Sequence, residues 1–348
     1  MQIGVVLALL SALLFGASTP LAKLLLGTVD PQVLAGLLYL GAGFGLSLIH
    51  FSRGFLRLPA AEAALRHADM PWLAAVIVTG GVLGPLSLML GLSRTDAGSA
   101  ALLLNVEALA TMSIAWLLFR EHTDRRLLLG AFAILAGAGV LTWRGRAALN
   151  GGAVLIVAAC CCWGVDNNLT RKLSSADPVR IVMLKGLVAG TINLALGLLQ
   201  GARLPDSSIL LGAGLLGFFG YGVSLALFVL ALRHLGTART GAYFSLAPFI
   251  GAILAVLLLH EPLTLQLGLA GGLMALGLWL HLSEHHEHEH AHAGLEHAHR
   301  HVHDRHHEHR HAGDDPDGEP HSHWHTHAPM VHRHPHYPDL HHRHRHGD

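Results

Sequence analysis

The residues able to do chemistry in this chain fall in two places. The last 65 residues hold 24 of its 30 histidines. His285, His286, His288, His290 and His292 begin that run; His297, His299, His301 and His303 continue it. His321, His323, His325 and His327 follow, and His341, His342, His344 and His346 end it. Neutral imidazole is the commonest metal ligand among side chains, and it suits zinc, copper, iron and nickel. The second place is a small set of polar residues inside long apolar runs: Asn105, Glu107, Asp166, Asn167, Asn168, Lys185 and Asn193. Charge at membrane depth is expensive, so each such residue is a candidate functional site.

The tail alternates histidine with small or charged residues, as in His297-Ala298-His299-Arg300-His301. Side chains two apart on an extended chain face the same way, so a short stretch can offer two or three imidazoles to one ion. Twelve Asp or Glu against six Arg make the tail acidic and favour a cation. With few residues able to build a core, residues 284–348 are expected to be disordered. Three uses compete: reversible binding of divalent nickel, cobalt, zinc or copper; a pH response as the histidines protonate; and inert low complexity. Metal binding is the favoured reading. No cysteine lies in the tail, which argues against copper(I). Nickel or cobalt is preferred only by analogy with other His-rich proteins.

Something must carry this tail and position the buried charges. Hydrophobic residues are 52% of the chain and charged residues only 13%, and a span needs about 20 mostly apolar residues. About ten spans are expected, near 2–23, 32–51, 71–92, 97–119, 127–143, 151–170, 179–199, 208–232, 240–259 and 265–282. The first resembles a signal peptide's apolar core but lacks a basic start and a cleavage site, so it is kept as a span. Eleven Lys or Arg lie in the loops on one side, among them Arg53, Arg120, Lys172 and Arg239, against five on the other. The positive-inside rule then puts both termini, and the tail, in the cytoplasm.

The two halves match. Phe15-Gly16, Lys23 and Asp30-Pro31 parallel Trp163-Gly164, Arg171 and Asp177-Pro178. The run from Ala115 to Glu121 parallels that from Ala255 to Glu261, and Gly130 and Gly139 parallel Gly268 and Gly277. Each half has five helices, so the second inserts upside down, an arrangement typical of transporters. On these motifs the chain resembles the drug/metabolite transporter superfamily in its EamA-type ten-helix branch. The resemblance covers residues 1–283. It implies an all-α integral membrane protein: a first repeat at 1–145, a second at 146–283, and the tail at 284–348. It also implies a secondary transporter of small solutes, often an exporter, with no enzymatic activity. No Gly-Lys-Ser/Thr phosphate-binding motif occurs, in keeping with transport that uses no ATP. One departure stands out: Pro248 occupies its family place in half two, whereas half one has Glu107-Ala108.

Glu107 lies about ten residues from either end of its span, or about 15 Å from each surface. It could bind a cation, or a proton that exchanges for one. Asp166 and Lys185 lie at matching depths and are expected to pair. Glu121 and Glu261 sit at span ends and read as interfacial. Cys160, Cys161 and Cys162 point about 100° apart on a helix and read as small filler. The expected setting is a bacterial inner membrane, with lipid and a small solute or metal ion as partners, no nucleic acid, and room for a homodimer. No cofactor is expected for folding. The leading function is export of divalent metal aided by the tail. Export of an organic metabolite, with a tail that senses metal or pH, is the alternative. A membrane-anchored metal store is a third, which the polar residues at the repeat interface oppose.

Overall fold

The computed structural model describes residues 2–55, 65, 67–119, 125–143, 150–170, 173, 177–235, 240, 243–282, 287–292, 295–301, 321–327 and 330–335. The chain divides into a helical body ending at Leu282 and a second unit comprising the tail and a short loop segment.

In the body, half one runs through α1 (Gln2–Leu25), α2 (Pro31–Phe55), α3 (Met70–Val76), α4 (Gly84–Ser93), α5 (Ala97–Leu103), α6 (Val106–Phe119) and α7 (Arg125–Thr142). Half two runs through α8 (Gly151–Thr170), α9 (Pro178–Leu199), α10 (Ser207–Gly217), α11 (Ser224–Leu235), α12 (Ala247–Leu259) and α13 (Leu265–Leu282). Among the described residues, seven segments are long and apolar enough to cross a membrane, and three shorter apolar helices join them. Their outward faces carry Leu48, Phe132 and Leu265 at 74%, 72% and 80% exposure, a surface suited to lipid and not to water.

The duplicated Asp-Pro motif has a plain local cause. Asp30 Oδ1 accepts from the amides of Gln32 (2.8 Å) and Val33 (3.2 Å), and Asp177 Oδ1 accepts from Val179 N (2.9 Å). The aspartate caps the helix start, and the proline fills the first helical position, where no N–H is needed.

Packing repeats the sequence symmetry. Span two (α2) lies along span seven (α9), and span five (α7) along span ten (α13). Span one (α1) packs on α11 and α12, and its counterpart α8 packs on α4 and α6. The inner helices thus form two groups, one of spans one, eight and nine, the other of spans six and three with the second part of span four (α6); the first part, α5, packs mainly on α12 of span nine. The α2–α9 crossing is close because glycine faces backbone. A Cβ on Gly186 would stand 2.8 Å from Gly43 N, and one on Gly190 2.6 Å from Leu40 N. Sequence reading assigns these glycines no individual role; small residues let such backbones approach.

Two kinds of irregularity interrupt the spans, each in both halves. The third helix of each half passes through a π-helical segment, Ile77–Leu83 in one and Phe218–Val223 in the other. The fourth helix of each half, expected to be continuous, is broken near its middle. In half one the break lies at Leu104 and Asn105, in half two at Ser245 and Leu246. Pro248 accounts for the second, since it lacks an amide hydrogen. Half one has no proline there. Asn105 Nδ2 donates to Leu102 O (2.8 Å), which also accepts from Asn105 N (3.0 Å). A short amide side chain competing for the backbone breaks the helix in proline's stead.

Where the tail is described, it is extended. Glu287–His292 pairs antiparallel with Met330–Pro335, and Leu295–His301 with His321–His327. A period-two alternation is the pattern an extended strand carries.

Candidate functional site

Glu107 stands in the first turn of α6, just past the break in span four. It has a polar neighbour on α8. Asn167 Nδ2 donates to Glu107 Oε1 at 3.0 Å and to Thr111 Oγ1, one turn along α6, at 3.1 Å. Sequence reading leaves Glu107 without a partner; Asn167 is that partner. Its carboxamide ties α6 to α8 through side chains alone, so the link can be exchanged for one to a solute.

One residue earlier on α8, Asp166 pairs with Lys185 of α9, as their matching depths lead one to expect. Thr170 Oγ1 donates to the other carboxylate oxygen at 3.2 Å. Both partners are nearly enclosed, Lys185 at 14% side-chain exposure and Asp166 at 7%.

The π-helical segment of span three makes room for this pair. A Cβ on Gly80 would overlap the Asp166 carboxylate, and one on Gly81 would stand 2.6 Å from Ala189 and 3.3 Å from Lys185 Cγ. The segment also leaves a carbonyl free for side chains. Gly80 O accepts from Tyr39 OH (2.9 Å) and from Trp163 Nε1 (3.0 Å). Gly84 lies under the Trp163 indole. Aromatic rings carry on from there toward half two. Tyr39 lies 5.8 Å from Tyr221, Tyr221 5.9 Å from Phe15, and Phe15 5.4 Å from Phe244.

The remaining polar candidates serve the backbone. Asn105 holds the break in span four and lies 3.9 Å from Met274 Sδ of α13. Asn168 donates to Thr111 O (3.0 Å) and Gly164 O (2.8 Å). Asn193 is fully buried and donates to Gly81 O (3.4 Å) and Val82 O (3.3 Å) in the π-helical segment. The structure therefore brings together Glu107, Asn167, Asp166 and Lys185, and sets Asn105, Asn168 and Asn193 to backbone tasks around them.

Cys160 is buried with its Sγ 3.6 Å from Leu103 O, at the break, while Cys161 is exposed. The tail histidines can be placed by ladder register only. His288 stands opposite His334 and His290 opposite His332. His297, His299 and His301 stand opposite His325, His323 and His321. His292 faces Met330 and His327 faces Leu295. His285, His286 and His303 lie outside the described residues.

A helical membrane body of two inverted halves, with broken helices and a few charges where the halves meet, is the architecture of a secondary transporter. Residues 2–143 and 150–283 each match the EamA-like transporter family, and the chain belongs to that family. A protein of Methanothermobacter thermautotrophicus described as an uncharacterized transporter is 30% identical over 293 residues, 80% of this chain and 85% of its own. A crystal structure of a protein 20% identical to this chain superposes with a TM-score of 0.59, over 80% of this chain and 95% of that one. At that identity the likeness concerns fold alone. The chain is thus a multi-pass membrane transporter and not an enzyme.

Proposed function

We propose that this chain exports a divalent metal ion, nickel or cobalt before zinc, across a bacterial inner membrane. Its termini are cytoplasmic, and its tail captures the ion before transport. The observation that carries the reading is the concentration of 24 histidines in the 65 residues beyond the last helix. A tethered metal-binding segment raises the local concentration of cargo at the mouth of the pathway. Cross-ladder His positions such as His299 and His323 suit such a role, because residues directly opposite share one face of a strand pair. Within the membrane, Glu107 is the carboxylate that meets the cation. Asn167 and Thr111 supply neutral oxygens beside it, and Lys185 holds Asp166 as a fixed, neutralised wall.

A second reading has its own support. Among the described residues no three His, Cys, Asp or Glu side chains gather as a metal site, and a row of aromatic rings leads to the charged pair. Those features suit a small organic solute with an apolar body and a charged end. A transporter-deficient bacterium separates the two readings. Expression of the chain is expected to raise tolerance to nickel or cobalt and lower the metal content of the cells. Unchanged tolerance and content for nickel, cobalt, zinc and copper alike would overturn metal export and leave the organic solute.

A further inference from the structure

Glu261 follows α12 directly, and sequence reading assigns it only an interfacial place. Its carboxylate does more. Oε1 accepts from Ala97 N at 2.7 Å and Oε2 from Gly98 N at 2.8 Å, so both oxygens grip the start of α5 in the other half of the molecule. Two local features allow this. His260 adopts a left-handed conformation (φ 52°, ψ 34°) that turns the chain at the end of α12. Gly98 has no side chain to hold the carboxylate off; a Cβ there would stand 3.2 Å from Oε2.

Lys23, near the end of α1, makes the complementary contact. Its Nζ donates to Leu92 O (2.5 Å) and Thr95 O (2.7 Å), the last carbonyls of α4 and of the turn after it. An ammonium at carbonyls that end one helix and a carboxylate at amides that begin the next both suit the partial charges there. All four groups lie on one membrane face. Lys23 and Glu261 belong to spans one and nine, which pack together in one group. Their backbone partners belong to the connection between spans three and four, which leads from α4, packed on α8, to α5, packed on α12. Both contacts therefore tie spans one and nine to the same connection at the same end.

We infer that Lys23 and Glu261 form a two-point latch that holds this face of the pathway shut, and that the two groups part here only when both contacts release. The partners are backbone groups, so the latch exchanges for water without leaving a buried charge behind. The inference rests on the transport cycle that the family carries out, and it is independent of the cargo.

The test reads accessibility without cargo. In a background with Cys160→Ala, Cys161→Ser and Cys162→Ala, an Ala101→Cys change puts a thiol one turn inside the latch. Ala101 is 1% exposed, with its Cβ against Gly251 of span nine, so a thiol there is shielded while the latch is closed. A membrane-impermeant maleimide is applied to whole cells and to inverted vesicles. From the face that carries Lys23 and Arg94, labelling is expected to be slow in the parent. In Glu261→Gln, and in Lys23→Met, it is expected to rise roughly tenfold, as for a two-state population losing one charge-assisted contact. The double variant should label about as fast as the faster single one. Glu261→Asp, shorter by one methylene with its charge kept, should fall between parent and Glu261→Gln. Labelling at the parent's rate in folded Glu261→Gln and Lys23→Met would overturn the latch. Should Glu261→Gln fail to reach the membrane, parent-like labelling of Glu261→Asp overturns it instead. Loss of metal tolerance plays no part in this readout, so failure of metal export leaves the latch standing or falling on its own.

Discussion

Replacing Asp166 with Asn removes one charge of an enclosed pair and leaves Lys185 with an ammonium at 14% exposure. An exposed ion pair contributes about 0–1 kcal/mol. Breaking a buried one from a single side costs about 3–5 kcal/mol, because the stranded charge has lost its water without keeping its partner. The structure favours the larger figure. Among the described residues Asp166 is the acceptor that Lys185 Nζ meets, and the glycines at 80 and 81 pack too closely to admit a hydrated ammonium. The carboxamide of the substituted side chain would still accept from Thr170 Oγ1, so the hydroxyl does not enter the loss. At about 1.4 kcal/mol per decade, the folded-to-unfolded ratio should fall by roughly two to three and a half decades. Lys185→Met alone should cost a similar amount by stranding Asp166. The double variant removes both charges and should recover most of the loss, leaving a coupling of about 3 kcal/mol. Denaturant unfolding in detergent, followed by tryptophan fluorescence, measures the four corners of the cycle. Additive losses, with coupling below about 0.5 kcal/mol, would refute the argument that each charge is held by the other.

Glu107→Gln keeps shape and the Asn167 contact while removing the carboxylate, so transport by vesicles should be abolished with the unfolding midpoint unchanged; unchanged transport would return Glu107 to a packing role. A chain ending at Ser283 should keep its helical content and midpoint, while the metal tolerance it confers falls most at low external metal. The isolated tail should bind divalent ions near neutral pH and release them as the histidines protonate, below about pH 6; equilibrium dialysis across that range checks it. A reporter fused after Asp348 should read as cytoplasmic, with alkaline phosphatase inactive and a fluorescent protein bright. Gly186→Leu should prise α2 from α9 and lower the unfolding midpoint strongly, by about 3 kcal/mol or more from overpacking against backbone, whereas Gly139→Leu, with open space around its Cβ position, should be tolerated.

Much of this architecture is legible in the sequence. Hydropathy locates the spans, and the duplicated Asp-Pro motif marks two helix starts. Counting residues from the two ends of a span is enough to pair Asp166 with Lys185, because depth in a helix is a simple function of position. The irregular backbone is not legible. Pro248 announces the break in span nine, but its counterpart in span four rests on an asparagine, and asparagine in an apolar run has several explanations. The π-helical segments leave only faint traces, Gly80-Gly81 in one half and Gly220 with Gly222 in the other. Those segments and breaks then explain why two of the candidate amides turn out to serve the backbone: Asn105 and Asn193 answer carbonyls in or beside irregular helix, whereas Asn168 answers carbonyls of regular helix, Thr111 O and Gly164 O. Glu261 is misplaced for a related reason. Sequence shows that it ends a helix but not that a left-handed His260 swings it across to the other half.

The two breaks in the fourth helices differ in a way that bears on direction. Pro248 can never close its gap, since no amide hydrogen exists to restore the ladder. The interruption in span nine is thus written into its covalent structure. Span four is bent by an exchangeable hydrogen bond from Asn105 to Leu102 O, and nothing covalent stops that helix from straightening. An ancestral duplication gave the two halves one shape, and these residues give them unequal freedom: a fixed elbow in one, a working joint in the other. The carboxylate at Glu107 sits on the working joint. Any straightening would therefore fall to the half that carries Glu107, while the proline-marked half keeps its elbow, so a duplicated scaffold has one side that can give and one that cannot.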